Sequence, residues 1–228
     1  MNPVNNDPKS GGTKALRLPA DAAAIVRQRL ALRKELLTQT NLLHTRVAIL
    51  GGSTTVEVKN MLELFLLANG IQPSFYESGY NRYSEEVLFA NPDLWNFKPD
   101  IVFVHTTWRN VGEFPDVMES ETEVLNRVQR ETARFESIWE KIDKELGAVI
   151  IQNNFDLPGL RPLGNLEASE SFGRVGFLQR LNAKFADYAR SHSRFFVNDI
   201  HYISAQVGLV EWFAQTYWYN FQIGRAHV

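Results

Sequence analysis

A serine follows a pair of glycines directly after a short apolar run. The segment GGSTT at 51–55 ends the run at 46–50 and precedes an amphipathic stretch at 56–69. This pattern predicts a strand, a tight turn and a helix, with the Ser53 hydroxyl at the carboxyl edge of a sheet beside free backbone N–H groups. Such a turn suits a nucleophile for acyl transfer with its oxyanion hole, or an anion-binding site. The turn by itself leaves both functions open.

Further apolar segments alternate with helical patterns along the chain. Strand signals fall at 47–50, 73–76, 101–104, 148–152 and 195–198. Helical patterns fall at 20–39, 56–69, 120–146 and 175–191. Short strands that are apolar on both faces and separated by helices are typical of a doubly wound sheet between two helical layers. We therefore expect an α/β protein with a mostly parallel sheet of about five strands.

Polar residues cluster directly after each predicted strand, where open parallel sheets bind their ligands. The clusters begin at Ser53 after the first strand and occupy 77–82, 105–110, 152–154 and 198–201 after the others. Five polar clusters at one edge exceed what solubility requires, which predicts a site there.

Each cluster also has an ordinary structural interpretation. Ser53 or Asp199 could cap the helix that follows it, because short polar side chains accept hydrogen bonds from the first N–H groups of a helix. His105 could be a buried histidine with satisfied hydrogen bonds, and Asn110 an ordinary loop residue. The asparagine pair at 153–154 is typical of turns. The sequence leaves these alternatives open.

Composition narrows the class of function. The 228 residues suit one domain, and a net charge of -2 without a basic stripe argues against nucleic-acid binding. No apolar run approaches the roughly 20 residues of a membrane span. The absence of cysteine excludes disulfides and thiolate chemistry and fits a cytoplasmic protein. Scattered histidines predict no metal site, and GGSTT lacks the lysine of a nucleotide phosphate loop.

The two ends of the chain differ from the rest. Residues 1–19 are rich in Asn, Pro, Gly and Lys, which predicts a disordered lead-in to a domain at 20–222. Residues 223–228 match one reading frame of a common sequencing-library adapter. We therefore expect the natural chain to continue beyond Gln222. The aromatic residues at 212–221 should then be partly exposed, and 223–228 should pack against nothing.

Taken together and in this order, several segments resemble an SGNH-hydrolase-type domain, in particular the N-terminal portion of FkbH-like proteins of the HAD-IIIC class. The resemblance extends from about Ala31 to Phe221 and implies a flavodoxin-like three-layer α/β/α fold. The segments that carry it are VAILGGSTTVEVKNMLELFLLANGI, FYESGYNRYSEEVLF, KPDIVFVHTTWRN, IIQNNFDLP, GNLEAS and FVNDIHYISAQVGL.

The resemblance also implies roles for individual residues. Ser53 occupies the nucleophile position, Gly79 and Asn110 the oxyanion-hole positions, and Asp199 and His201 lie near the acid and the base. The residues expected to bind ligand around them are Gly52, Thr54, Asn81, His105, Arg109, Asn153 and Asn154.

Two departures from the hydrolase pattern bear on catalysis. The family's GDS is GGS here, with Gly52 in place of the aspartate. The hydrolase DxxH spacing is replaced by Asp199-Ile200-His201, with one intervening residue. That spacing points the two side chains apart on a strand or a first helical turn, which weakens an Asp–His–Ser relay.

FkbH-like proteins carry a HAD domain after this one, with an aspartate nucleophile and Mg²⁺. They are associated with secondary metabolism such as polyketide biosynthesis, where a glyceryl-type unit from a phosphorylated three-carbon acid is loaded onto an acyl carrier protein. No HAD signature occurs in this sequence, so we expect no cofactor or magnesium site here. The resemblance implies a module that binds the acyl carrier protein or the small acyl or phosphorylated three-carbon substrate. The alternative is an active serine acyl-transferase or esterase that uses Ser53.

Overall fold

The computed structural model describes residues 15–17 and 21–213. The strands are β1 (Leu43–Gly51), β2 (Ile71–Glu77), β3 (Ile101–His105), β4 (Val149–Asn153) and β5 (Phe195–Asn198). The α-helices are α1 (Ala22–Leu36), α2 (Val56–Ala68), α3 (Tyr83–Leu88), α4 (Pro92–Phe97), α5 (Glu121–Lys141), α6 (Arg174–Ser191), α7 (Ile200–Val207) and α8 (Leu209–Trp212). Short 3₁₀ turns occupy Trp108–Asn110 and Gly164–Ala168.

The strands form one parallel sheet in the order β2-β1-β3-β4-β5. β1 lies between β2 and β3, with Val47 opposite Phe75 of β2 and Ile101 of β3. This is the flavodoxin-like order, in which the chain reverses its winding direction between β1 and β3. The predicted α/β fold with about five parallel strands is confirmed.

Apolar side chains of the sheet alternate between two helical layers, as the strand period requires. Ala48 and Leu50 belong to a large buried cluster with residues of α5 and α6, including the fully buried Phe135 and Trp139. A second buried cluster joins α1 to α2 through residues Leu32, Leu36, Leu64 and Leu67. The two layers hold the sheet rigidly, which fixes the positions of the loops at its carboxyl edge.

Some element boundaries differ from those predicted. Gln152, predicted both as the last residue of the fourth strand and as the first of the polar cluster after it, lies inside β4, where it is fully buried and accepts a hydrogen bond from the Trp139 indole N–H at 2.9 Å. The predicted helix at 120–146 is α-helical to Lys141 and continues as a π-helical turn. Leu16, inside the predicted lead-in, is 6% exposed and packs in the cluster of α1 and α2.

None of the helices within 15–17 and 21–213 is long and apolar enough to cross a membrane. Of the aromatic residues expected near the end of the chain, Trp212 is half-buried. The expectations for 217–221 and for 223–228 lie outside the described residues.

Candidate functional site

The serine turn leaves a buried hydroxyl without a partner. Ser53 is 3% exposed, and its Oγ accepts or donates no hydrogen bond within the described part of the chain. The turn itself is fixed by backbone contacts on either side of it. The Gly52 N–H donates to the His105 carbonyl at 2.8 Å, and the Gly51 N–H donates to Ser78 Oγ at 2.9 Å. Ser53 is therefore held in place by its neighbours while its own polar group stays available.

The helix that follows the turn also lacks a side-chain cap. Thr55 occupies the N-cap position of α2, yet its side chain makes no capping hydrogen bond. Its hydroxyl donates instead to Glu77 Oε2 at 3.0 Å, and the other oxygen of Glu77 pairs with Lys59 Nζ. Ser53 does not cap α2 either, which removes the ordinary structural explanation for it. The first N–H groups of α2 and the partial positive charge of the helix lie directly beyond the serine turn.

Asn110 packs directly on Gly52. Its side-chain Nδ2 donates to the Gly52 carbonyl at 2.9 Å and to Asn81 Oδ1 at 3.1 Å. A Cβ atom at position 52 would lie 2.3 Å from Asn110 Nδ2, far inside contact distance. An aspartate at 52 is therefore incompatible with this position of Asn110. The structure thus gives a physical reason for GGS in place of GDS.

Hydrogen bonds from α5 hold the loop that carries Asn110. The Thr107 N–H donates to Asn110 Oδ1 at 2.9 Å, closing the 3₁₀ turn with a reciprocal cap. The Arg134 guanidinium donates to the Asn110 carbonyl at 2.8 Å and to the Tyr83 hydroxyl at 2.9 Å. Glu131, which is 8% exposed, pairs with Arg134. This network orients the asparagine toward the serine turn.

Gly79 has its backbone N–H engaged in this structure. The group donates to Glu86 Oε1 at 2.8 Å, and the Tyr76 hydroxyl donates to Glu86 Oε2 at 2.7 Å. Burial, together with this hydrogen bond to Glu86, raises the pKa of Tyr76, so the phenol stays protonated and acts as a donor. With both amide hydrogens of Asn110 also in use, the two implied oxyanion-hole donors are occupied by protein acceptors.

On the other side of the edge, Asn154 joins the loops after β4 and β5. Its Nδ2 donates to Asp199 Oδ1 at 2.7 Å, and its Oδ1 accepts the His201 N–H at 3.0 Å. Asp199 also accepts the Tyr202 N–H at 3.1 Å and so caps α7. The carboxylate of Asp199 thus serves the asparagine and the helix.

His201 has a defined tautomer. Its Nδ1 lies 3.3 Å from the carbonyl oxygen of Phe155, which can only accept a hydrogen bond. This hydrogen bond requires a proton on Nδ1, so a ring that carries a single proton leaves Nε2 as an acceptor. Because Ser53 Oγ has no hydrogen-bond partner among the described residues, His201 does not contact it in this structure.

Asn153 connects three strands at the same edge. Its Oδ1 accepts from Asn198 Nδ2 at 2.7 Å, and its Nδ2 donates to the Thr106 carbonyl at 3.3 Å. Since both ends of its amide are used within the protein, Asn153 supports the edge of the sheet.

Arg109 lies in an aromatic cluster beside the serine turn. Its guanidinium is 4.6 Å from the centre of the Trp108 ring and 5.1 Å from that of Phe213. In the same cluster, the carboxylate of the buried Asp156 accepts hydrogen bonds from the Trp108 backbone N–H at 3.0 Å and from the Trp212 indole N–H at 2.7 Å. Burial raises the pKa of Asp156, against the opposing effect of these hydrogen bonds. The cluster fastens α8 to the loop that carries Asn110.

The structure brings the predicted site residues to one edge but does not join them into one network. Ser53, Gly52, Asn110 and Asn81 meet on the β1 side, whereas a separate network after β4 and β5 contains Asn154, Asp199 and His201. Thr54 is half-buried between Ser53 and α2, and His105 is 4% exposed at the end of β3. The serine-side group lacks a contacting base, and the second group lacks a contacting nucleophile.

Three supporting residues escaped the sequence analysis: Glu86, Arg134 and Asp156. Glu86 and Arg134 lie on helices, where charged residues are usual on the exposed face, so the pattern gives no signal for them. Asp156 follows β4 within the segment IIQNNFDLP and could have been found from that position. Within the described ranges, no group of three or more His, Asp or Glu residues is placed to hold a metal ion.

Comparison with known proteins supports the fold. No family model matches the sequence, and no curated protein matches it. The chain is similar in structure to the N-terminal part of the protein BF1531 from Bacteroides fragilis, which contains a phosphatase domain and was crystallised in complex with Mg. The TM-score is 0.69 at 16% sequence identity, over 84% of this chain and 51% of that chain. The present chain therefore spans about half the length of this neighbour, and the likeness establishes a shared fold.

Proposed function

We propose that this domain is the N-terminal binding module of an FkbH-like protein. It holds the acyl or phosphorylated three-carbon group of a substrate, free or attached to an acyl carrier protein, at the serine turn. The chemistry then belongs to a phosphatase-type domain of the same protein. The neighbour from Bacteroides fragilis, an N-terminal part of a protein with a phosphatase domain, is in keeping with this arrangement.

The observation that carries the proposal is the buried Ser53 hydroxyl, which has no hydrogen-bond partner among the described residues and lies beside the end of α2 that no side chain caps. A buried hydroxyl without a hydrogen bond loses the hydration it has in water, so a ligand oxygen placed there restores a contact. Free N–H groups at a helix N-terminus favour a carboxylate or a phosphate. Together they suit an anionic oxygen of the three-carbon group.

Binding requires a local movement, because Ser53 is 3% exposed. The hydrogen bond between Asn110 and Asn81 joins the two loops that border the turn. If it opens, one amide hydrogen of Asn110 becomes available to the same ligand. The neutral, flexible amide of the exposed Asn81 makes such an opening inexpensive.

One observation favours the alternative, an acyl-transfer enzyme. The protonated Nδ1 of His201 leaves Nε2 as an acceptor, which is the tautomer that a general base needs. The Phe155 carbonyl would then take the orienting role that an aspartate has in a relay. Against this stand the unpaired Ser53 Oγ and the occupied Gly79 and Asn110 donors.

The binding function is tested by titrating ¹⁵N-labelled protein with 3-phosphoglycerate, glycerate and inorganic phosphate. We expect 3-phosphoglycerate to shift the backbone amides of Ser53 and Asn110 and to bind more tightly than either fragment. Ser53→Ala should weaken it about fivefold, in line with loss of one hydrogen bond. Ser137→Ala on the exposed face of α5 is the matched control and should change nothing. Equal binding by wild type and Ser53→Ala would refute the assignment.

The enzyme function is tested with a serine-reactive fluorophosphonate, followed by mass spectrometry and ester-turnover assays. The binding-module proposal predicts no adduct at Ser53 and no turnover by the folded domain. An adduct at Ser53 that disappears in His201→Ala would establish the acyl-transfer alternative instead.

A further inference from the structure

A cavity of about 800 Å³ lies beside the N-terminal half of α6, apart from the serine turn. One wall is formed by the segment GNLEAS and by the residues after it. This segment is among those that carry the resemblance to FkbH-like proteins, and no role has been given to it. The other walls come from α6 and from the start of α5. None of the residues assigned to the Ser53 site lines this cavity.

Glu167, in the GNLEAS segment, lines the cavity and has a buried carboxylate oxygen without a hydrogen-bond partner among the described residues. The residue is 2% exposed, and its Oε2 accepts the Val175 N–H at 3.2 Å in the first turn of α6. Its Oε1 is buried and has no hydrogen-bond partner in the part of the chain that is described. A Cβ at Gly173 would lie 2.8 Å from the Glu167 carbonyl oxygen, so the glycine lets this segment approach the helix closely. Glu167 is thus fixed by one oxygen, while the other is buried and unsatisfied, so a ligand contacts it only after a small local movement.

Arg180 supplies the opposite polarity from one wall of the same cavity. Its Nη2 makes a long hydrogen bond of 3.4 Å to Glu121 Oε1, while Nη1 is buried and unpartnered within the described residues. A guanidinium only donates and a carboxylate only accepts. A ligand that satisfies both must therefore carry a donor for Glu167 and an acceptor for Arg180.

Charge decides the nature of that donor. Three glutamates line the cavity against the single Arg180, so the side chains of the lining carry a net charge of -2. This balance repels phosphate and carboxylate ligands and attracts a cation. Val175 and Ala183 add a small apolar surface that suits a short aliphatic segment.

We propose that this cavity binds a small organic amine whose ammonium group contacts Glu167 Oε1 and whose carbonyl or hydroxyl oxygen contacts Arg180 Nη1. Amino amides and amino alcohols are the simplest members of this class. This cavity is separate from the proposed binding site at the serine turn, and its ligand is a cation, whereas the ligand proposed for the serine turn is an anion.

The test uses ¹⁵N-labelled full chain titrated with glycinamide, with acetamide as a probe that keeps the amide but lacks the ammonium group, and with phosphate as an anion. We expect glycinamide to shift the backbone amides of Val175 and Gly176, and to bind at least about tenfold more tightly than acetamide, as for one charge-assisted hydrogen bond. Phosphate should leave these signals unchanged.

Glu167→Gln keeps the shape of the side chain and an oxygen for the Val175 N–H, and it should weaken glycinamide about tenfold. Glu136→Gln on α5, outside the cavity, is the control and should bind as the wild type does. If Glu167→Gln does not fold, Glu170→Gln at the rim should reduce affinity about twofold through charge alone. Any one of three results would overturn the proposal. The first is equal binding of glycinamide and acetamide, and the second is the absence of shifts at Val175 and Gly176. The third is wild-type affinity in the folded Glu167→Gln variant or, where that does not fold, in Glu170→Gln.

Discussion

The carboxyl edge of the sheet has two halves, one after β1 and one after β4 and β5, and their similar polar residues have different roles. After β4 and β5, Asn154 and Asp199 bond to each other and to the backbone, so their polar contacts join the two loops and cap α7. After β1, Asn110 is equally well bonded, yet the Ser53 hydroxyl beside it has no partner among the described residues. A polar residue at a strand end is therefore not evidence of a ligand site by itself. A buried polar group without a hydrogen-bond partner is stronger evidence for such a site, because a ligand can supply the missing contact.

The difference arises from packing. Position 52 is a glycine, so Asn110 can lie against the main chain of the turn and use its amide on the Gly52 carbonyl. Next to this contact, Ser53 Oγ has no hydrogen-bond partner among the described residues. At Asp199 the following helix starts at once, and Asp199 Oδ1 accepts hydrogen bonds from the Tyr202 N–H of that helix and from Asn154 Nδ2. The following predictions test this contrast.

The largest effect should come from Gly52→Ala. The new Cβ would lie 2.3 Å from Asn110 Nδ2, so the amide must move and lose its hydrogen bonds to Gly52 and Thr107. We expect a loss of about 3 kcal/mol in the free energy of unfolding, measured by urea denaturation.

Gly176→Ala is the matched control, because a Cβ at that position of α6 meets nothing within 4 Å. It should be neutral or stabilise by up to about 1 kcal/mol. Combining Gly52→Ala with Asn110→Ala should recover part of the loss. A Gly52→Ala variant as stable as the wild type would mean that the two residues are not in contact.

Asn154→Ala should destabilise by about 2 kcal/mol, because it removes the acceptor of the His201 N–H and one of the two donors to Asp199 Oδ1. Asn165→Ala, an exposed asparagine in the 3₁₀ turn, should change stability by less than about 0.5 kcal/mol. Urea denaturation of both variants gives the comparison. Similar values for the two would show that the β4–β5 network does not support the fold.

Asp156 couples the Asn110 loop to α8 and should make stability depend on pH. Burial raises its folded pKa above the ordinary value of 3.8, so protonation favours the folded state. Its contribution is fully present below the unfolded pKa and is lost as pH rises through the folded pKa. Asp156→Asn should therefore lessen the decline in stability as pH increases from about 4 to about 7.

Urea denaturation at several pH values across this window measures the effect. Asp187→Asn, an exposed carboxylate on α6, should leave the slope as it is in the wild type. If Asp156→Asn has the same slope as the wild type, the carboxyl does not contribute through its burial.

The smallest effect should come from Ser53→Ala, with a change within about 0.5 kcal/mol because no hydrogen bond is lost. Ser204→Ala is the matched substitution on the other side of the edge. Ser204 is fully buried and its Oγ donates to the His201 carbonyl at 2.8 Å, so its loss should destabilise by about 1 kcal/mol. A large loss in Ser53→Ala would show that the hydroxyl has a partner in solution and would weaken the site.

Much of the fold followed from the sequence. The apolar runs at 101–104 and 195–198 and the glycine turn after 47–50 fixed the strands, because parallel strands between two helical layers must be apolar on both faces. The same alternation predicted that Ser53, Asn110 and Asn154 share one edge. Short helices such as α3 and α4 were missed, since six residues carry too little periodicity to stand out.

The sequence by itself determined where the strands and the longer helices lie along the chain, the position of the serine turn and the residue types at the sheet edge, because these depend on local periodicity and turn chemistry. Only the tertiary structure decided how those side chains divide the available hydrogen bonds. Asn110 turns to Gly52, Gly79 to Glu86 and Asp199 to Asn154, and each partner is distant along the chain or lies on another element. Which polar group is left over, here the Ser53 hydroxyl, is the result of all these pairings together and has no local signal.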